Sequence, residues 1–316
     1  HALLKGIPEA EVEASILRTR FANNASDFDG GAILARSLLR HWDASGGSFD
    51  PDDLPGCDVV PCSIDVTGSV FESNQSHGYG GGVFADGVDV TVDRTRFGGS
   101  ASTKCEAAPA SGPGNWAALD GGALYVLGGS LALQRSQFYR HCAFDGSGGG
   151  VYHAASTDDR VSLSGNTFAG NSAGSQGGAV RLSTANRFTS IVANAFASNI
   201  ATQGGALSMN DGGGEDPLAY RWVVSGNSFV SNAASEDGGA LHMAFDNSGY
   251  VIPNGVRRNT FSRNGALVAG AVVVESNSGT ERQILTRFQR ALRDNRFTGN
   301  RATRMRNTAD IGVHFD

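Results

Sequence analysis

The sequence predicts an all-β chain wound into one parallel β-solenoid of about nine to ten coils over residues 1–316. Three observations predict it: a phenylalanine-centred motif that recurs every few tens of residues, a Gly-Gly pair that follows most copies, and a period-two alternation in the segments between. A unit this short cannot bury its own apolar face, so it must stack on its neighbours and bring equivalent residues above one another.

The motif Asn-x-Phe-x-x-Asn is present as NTFAGN (166–171), NAFASN (194–199), NSFVSN (227–232), NTFSRN (259–264) and NRFTGN (295–300), with looser copies around Phe21, Phe71, Phe97 and Phe138. Successive phenylalanines lie 50, 26, 41, 30, 28, 33, 32 and 36 residues apart, so the unit is 26 to 36 residues with insertions at about 36–63 and 101–119. Each Phe is expected in a stacked interior column. The Asn three residues later is expected at a corner, where its amide bonds the next coil.

The second motif reads GGAI at 30, GGVF at 81, GGAL at 121, GGVY at 149, GGAV at 177 and GGAL at 204 and 238, with an eroded AGAV at 269. Gly-Gly supplies a turn that tolerates positive φ. No helical pattern follows any of these glycines, which argues against a phosphate-cradling loop. Segments before the Phe (VSLSGNTF, YRWVVSGNSF) and after Gly-Gly (ALYV, AVRL, ALSM) alternate as strands do. One stretch competes: in ERQILTRFQRALRDN (281–295), Ile284, Leu285, Phe288 and Leu292 fall at helical spacing. Because RALRDNRF keeps the phase of VSLSGNTF, a strand leading into Phe297 is preferred to a short helix.

Composition agrees with a repeat fold. Glycine is 44 of 316 residues, about twice the usual share, while 40% hydrophobic content is enough for a sizeable core. A net charge of −6 argues against a dedicated nucleic-acid binder. The longest nearly unbroken apolar stretch, Gly265 to Val274, is too short to span a bilayer.

The pairing of FxxN with GGA(I/L/V) resembles the repeats of the chlamydial polymorphic outer-membrane proteins, over essentially the whole chain. The resemblance implies a right-handed parallel β-helix of pectin-lyase-like shape. It also implies a cell-surface passenger domain with adhesive roles and no catalytic residues.

Alternation locates the outward positions of the strand after Gly-Gly. Counting from the glycines, the second residue is apolar throughout (Ile33, Phe84, Leu124, Tyr152, Val180, Leu207, Leu241, Val272) and is expected inside. The third is then expected outside, giving Leu34, Ala85, Tyr125, His153, Arg181, Ser208, His242 and Val273. These are either solvated positions on an exposed sheet or a shallow saccharide-binding stripe of Tyr125, His153, Arg181 and His242. Glycoside hydrolysis wants two carboxylates about 5 to 9.5 Å apart, and this column has none. Asp29, Asp120 and Asp237 precede Gly-Gly in one phase with Gln176 and Gln203, an arrangement that turn chemistry explains without catalysis.

Trp42 and Trp116 fall in the two insertions, where an exposed ring is a candidate anchor for carbohydrate or protein, or a cap on the wall beneath. The loops Asp50-Pro-Asp52-Asp53 and Asn210 to Asp216 carry oxygen ligands, and Asp211, Glu215 and Asp216 are a candidate Ca²⁺ group, although neither loop matches a known calcium motif. No other metal or cofactor is expected. Asn24-Ala-Ser and Asn74-Gln-Ser match the glycosylation pattern, yet both Asn are corner residues and are expected unmodified.

The four cysteines make no CxxC pair, and stacking favours two disulfides, Cys57–Cys62 and Cys105–Cys142, hence an oxidising compartment. Eight Arg against Glu281 and Asp294 make residues 281–306 basic, which points to an acidic partner or another copy. The first residues, Ala2-Leu3-Leu4, and the last, Gly312 to Phe315, match strands that follow Gly-Gly, so the chain is expected to be part of a longer solenoid or stacked end to end on other copies. The expected function is a non-enzymatic extracellular scaffold or adhesin, in a surface fibre or filament, with glycans or surface proteins as partners. The alternative is a polysaccharide-binding or polysaccharide-cleaving lyase or hydrolase on the same fold.

Overall fold

The computed structural model describes residues 12–36, 62–99, 105, 114–154, 159–183, 188–210, 221–245, 255–276, 292, 294–303 and 311–315, and every regular element among them is a β-strand. The strands form four sheets, one of eight strands and three of nine, with parallel pairing. The chain visits the sheets in a fixed order. Arg160–Ser164 belongs to the first (sheet A), Thr167–Ala169 to the second (sheet B), Ser172–Ala173 to the third (sheet C) and Val180–Ser183 to the fourth (sheet D). The next circuit, Phe188–Val192, Ala195–Ala197, Ile200–Gln203 and Leu207–Asn210, pairs with it strand for strand. Nine circuits are present among the described residues, counted by the nine strands of sheets B, C and D.

Sheet B explains the repeat. Phe21, Phe71, Phe97, Phe138, Phe168, Phe196, Phe229, Phe261 and Phe297 face one another in register, and neighbouring rings stack at 4.6 to 5.0 Å. The seven rings from Phe71 to Phe261 are fully buried. Opposite them, Val180, Leu207, Leu241 and their equivalents in sheet D close the interior, and alanines such as Ala143, Ala173 and Ala201 line the short strands of sheet C.

Two polar ladders flank the Phe column. On the carboxy-terminal side, Asn24, Asn74, Asn115, His141, Asn171, Asn199, Asn232, Asn264 and Asn300 occupy successive circuits, and each backbone N–H up to Asn264 donates to the side chain of the next member. On the other side the ladder runs Thr19, Ser69, Thr95, Ser136, Asn166, Asn194, Asn227, Asn259 and Asn295. Each buried amide thus satisfies the backbone where the chain turns between sheets. Asn74 is fully buried and its Nδ2 donates to Phe21 O and Asn115 Oδ1, so this acceptor-pattern Asn is already committed.

His141 stands where the other circuits have Asn. Its Nδ1 accepts from Asn115 N–H at 2.9 Å and therefore has to be unprotonated, and burial lowers its pKa to about 3. The folded pKa lies below the unfolded value near 6.5, so the unfolded chain takes up a proton that the folded chain refuses. The corresponding stability is complete above about pH 6.5 and is lost as pH falls towards 3. We expect His141→Asn to remove about 2 kcal/mol of the stability lost by the parent between pH 7 and pH 5, read as urea midpoints. Equal losses in both proteins would contradict the neutral His141.

The Gly-Gly pair has two separate causes. Gly177 has φ +66°, as expected for the turn. Gly178 does not; there a Cβ would sit 2.2 Å from Gly205 O of the next circuit, so the backbones approach too closely for any side chain.

Cys105 and Cys142 form a disulfide, as expected, joining the segment between sheets B and C to the next circuit. Cys62 is also disulfide-bonded, and Cys57 lies outside the described residues. The expected second insertion ends earlier than 119, because Trp116–Ala117 is a strand of sheet C paired with Cys142–Ala143. Residues 281–291 lie outside the described residues.

Candidate functional site

The outward residues of sheet D, with the turn that precedes it, are the candidate site. Register fixes the outward column as Leu34, Phe84, Tyr125, Tyr152, Arg181, Ser208, His242 and Val273. Two expectations are corrected. His153 and Ala85 lie in the inward column with Val126, Leu182 and Met209, and Phe84 and Tyr152 take the outward places. The cause is the triple glycines, Gly80-Gly81-Gly82 and Gly148-Gly149-Gly150, where counting from the last pair shifts the phase by one residue and so flips every side chain. His153 is fully buried, its Nε2 faces Gly129 O at 2.9 Å, and burial lowers its pKa.

Outward does not mean exposed here. Tyr125, Arg181 and His242 are 7%, 8% and 1% accessible, so these three are not solvated positions, whereas Leu34 at the end of the column is exposed. Phe84, Tyr125 and Tyr152 stack at 5.2 and 5.0 Å, nearly parallel, which covers both faces of Tyr125 and one face each of Phe84 and Tyr152. Tyr79 packs on Tyr125 at 4.7 Å, and the Arg36 guanidinium lies 4.8 Å above the Phe84 ring. Beyond the rings the column turns polar: Arg181 donates to Ser208 Oγ at 2.7 Å, Ser208 Oγ meets His242 Nδ1 at 3.3 Å, and His242 Nε2 lies 3.2 Å from Glu275 Oε2.

These are the residue types of an acyl-transfer triad, but the arrangement is a buried polar chain. Ser208 is fully buried and its oxygen accepts from Arg181.

The carboxylates are committed in the same way. Asp29 Oδ1 accepts from Tyr79 N–H at 3.0 Å and Asp120 Oδ1 from Ser147 N–H at 2.6 Å, each capping the turn of the following circuit. Gln176 Nε2 donates to Gln203 Oε1 at 2.7 Å, and Gln203 Nε2 reaches Asp237 Oδ2 at 3.5 Å. The Asp/Gln column is turn chemistry, as the sequence suggests. Burial raises the pKa of Asp120, opposed by the Ser147 N–H and by Arg181. Burial likewise raises Tyr79, Tyr125 and Tyr152.

Trp116, expected as an exposed anchor or as a cap, is 2% accessible and meets the His77 ring edge-on at 5.8 Å; it is part of the wall. Trp42 and the Ca²⁺ candidates Asp211, Glu215 and Asp216 lie outside the described residues. Among the described residues no three His, Cys, Asp or Glu side chains gather as a metal site, and no helix is long and apolar enough to cross a membrane. Tyr79 and Glu275 were missed from sequence because partners on one face come from different circuits. No known protein family, curated protein or solved structure matches this chain.

Proposed function

We propose that the chain is a right-handed parallel β-solenoid that serves outside the cell as a non-enzymatic scaffold or adhesin. The observation that carries the reading is that Ser208, His242, Asp29 and Asp120, on sheet D or in the turn before it, each bond a neighbouring circuit. Right-handed winding is the rule for parallel strands joined by crossovers. The disulfide favours an oxidising compartment. The likeness of the FxxN and GGA(I/L/V) motifs to polymorphic outer-membrane protein repeats agrees with a surface role.

Stacking on other copies or adjoining segments fits the first described circuit, where Phe28 and Leu34 are exposed and strand Val12–Leu17 lies at the edge of sheet A.

Incubation with neutral and acidic polysaccharides, followed by reducing-end and unsaturated-product assays, is expected to show no turnover, while a glycan array retains the protein. Turnover of a polyuronate would overturn the reading.

A further inference from the structure

Sheet B turns its phenylalanines inward, so the residues on either side of each Phe point out. Arg20, Arg96 and Arg296 occupy the position before the Phe, and Arg140 and Arg263 the second position after it. The carboxylate Glu72 is shared by Arg20 and Arg96, leaving the pair with net positive charge. Arg140, Arg263 and Arg296 make no ion pair among the described residues. A chain of net charge −6 therefore presents a basic face on this one sheet.

That face contains a trough of about 500 Å³ across circuits three to six, lined by Arg96, Tyr139, Arg140, Gly170, Ala197 and Ser198 among others. Shrinking side chains along two columns make it. Tyr139 is followed by Ala169 and Ala197 in register, and Arg140 is followed by Gly170 and Ser198. Gly170 lets the arginine lie along the floor, since a Cβ there would be 3.1 Å from Arg140 Cγ. The result is a channel three rungs long, roughly 14 Å, walled at one end by two guanidinium groups and one phenol.

We propose that this trough binds an anionic polysaccharide. Arg140 pairs with carboxylate or sulfate groups on the chain, a geometry suited to the guanidinium fork, and Arg96, whose Nη1 donates to Gly98 O and whose Nη2 lies 3.4 Å from Glu72, adds positive charge beside it. The half-buried ring of Tyr139 meets the apolar face of one sugar, and the Gly, Ala and Ser floor admits the next. Single-stranded nucleic acid is the poorer fit, because it stacks on successive aromatic platforms and Tyr139 is the one aromatic residue lining the trough among the described residues. The proposal rests on the extracellular adhesin reading and names its ligand class.

The test is calorimetry on the whole chain with four probes: a heparin octasaccharide, polygalacturonate, neutral dextran and oligothymidylate. The variant Arg96→Thr with Arg140→Ser places in the trough residues that the same columns already hold at Thr167 and Ser198, so the fold is retained. Arg263→Ser with Arg296→Thr is the charge-matched control outside the trough.

The parent is expected to bind at least one acidic polysaccharide, more weakly as salt rises. The trough variant is expected to lose about tenfold or more in affinity, and the control under about threefold. Failure of both acidic polysaccharides to bind, equal losses in the two variants, equal binding of neutral dextran, or tighter binding of oligothymidylate would each overturn the assignment. Turnover of polygalacturonate in the cell would instead overturn the non-enzymatic reading, so the two failures are told apart.

Discussion

Phe196→Ala and Phe229→Ala are each expected to cost about 3–5 kcal/mol, because each removes a ring that is fully buried between two others and the rigid stack cannot close the gap. Phe196 lies 5.0 Å from Phe168 and 4.8 Å from Phe229, so its loss strips one contact face from both neighbours. Phe21, half-buried with a single stacked neighbour, is expected to lose clearly less on the same truncation. Denaturant midpoints give the overall loss. Hydrogen exchange locates it, since a repeat array loosens first around the damaged circuit. Midpoints unmoved by Phe196→Ala would place the ring outside the core.

Asn199→Ala is the second large effect. Its Oδ1 accepts from the N–H and Nδ2 of Asn171, and its Nδ2 donates to Phe168 O and Asn232 Oδ1, all buried. Truncation leaves four buried groups short of a partner, and at about 1–3 kcal/mol for each group left unsatisfied the loss is expected to exceed about 3 kcal/mol. Asn24, exposed at the end of the ladder, contributes one side-chain bond, from Nδ2 to Asn74 Oδ1, and Asn24→Ala is expected to cost under about 1 kcal/mol. Similar losses at Asn199 and Asn24 would show that the ladder does not support the turns.

The repeat made most of this fold legible from sequence. FxxN marks one inward ring and one corner amide, and both stand where the motif predicts. The first Asn of the motif, at 166, 194, 227, 259 and 295, forms a second ladder, which its recurrence could have revealed. The second glycine of each pair was harder to explain, because its reason is the carbonyl of the next circuit rather than its own φ.

The candidate site was far less legible. A one-residue ambiguity in the triple glycines exchanged His153 for Tyr152 and concealed the aromatic stack. The equation of outward with solvated failed for Arg181 and His242, whose surroundings come from circuits distant in sequence. The trough on sheet B was not visible either, because it is formed by side chains shortening from one circuit to the next.

The winding itself is tested most directly by cysteine cross-linking across sheet B. Thr167, Ala195 and Ser228 point outward in register on three successive circuits. Adjacent positions in parallel strands are about 4.8 Å apart and within disulfide reach, whereas positions two rungs apart, at roughly 9.6 Å, are beyond it. The Thr167→Cys, Ala195→Cys pair is predicted to oxidise nearly completely under mild conditions, and the Thr167→Cys, Ser228→Cys pair to stay reduced. Equal cross-linking of both pairs, or preferential cross-linking of Thr167→Cys with Ser228→Cys, would contradict the stacking order on which the account depends.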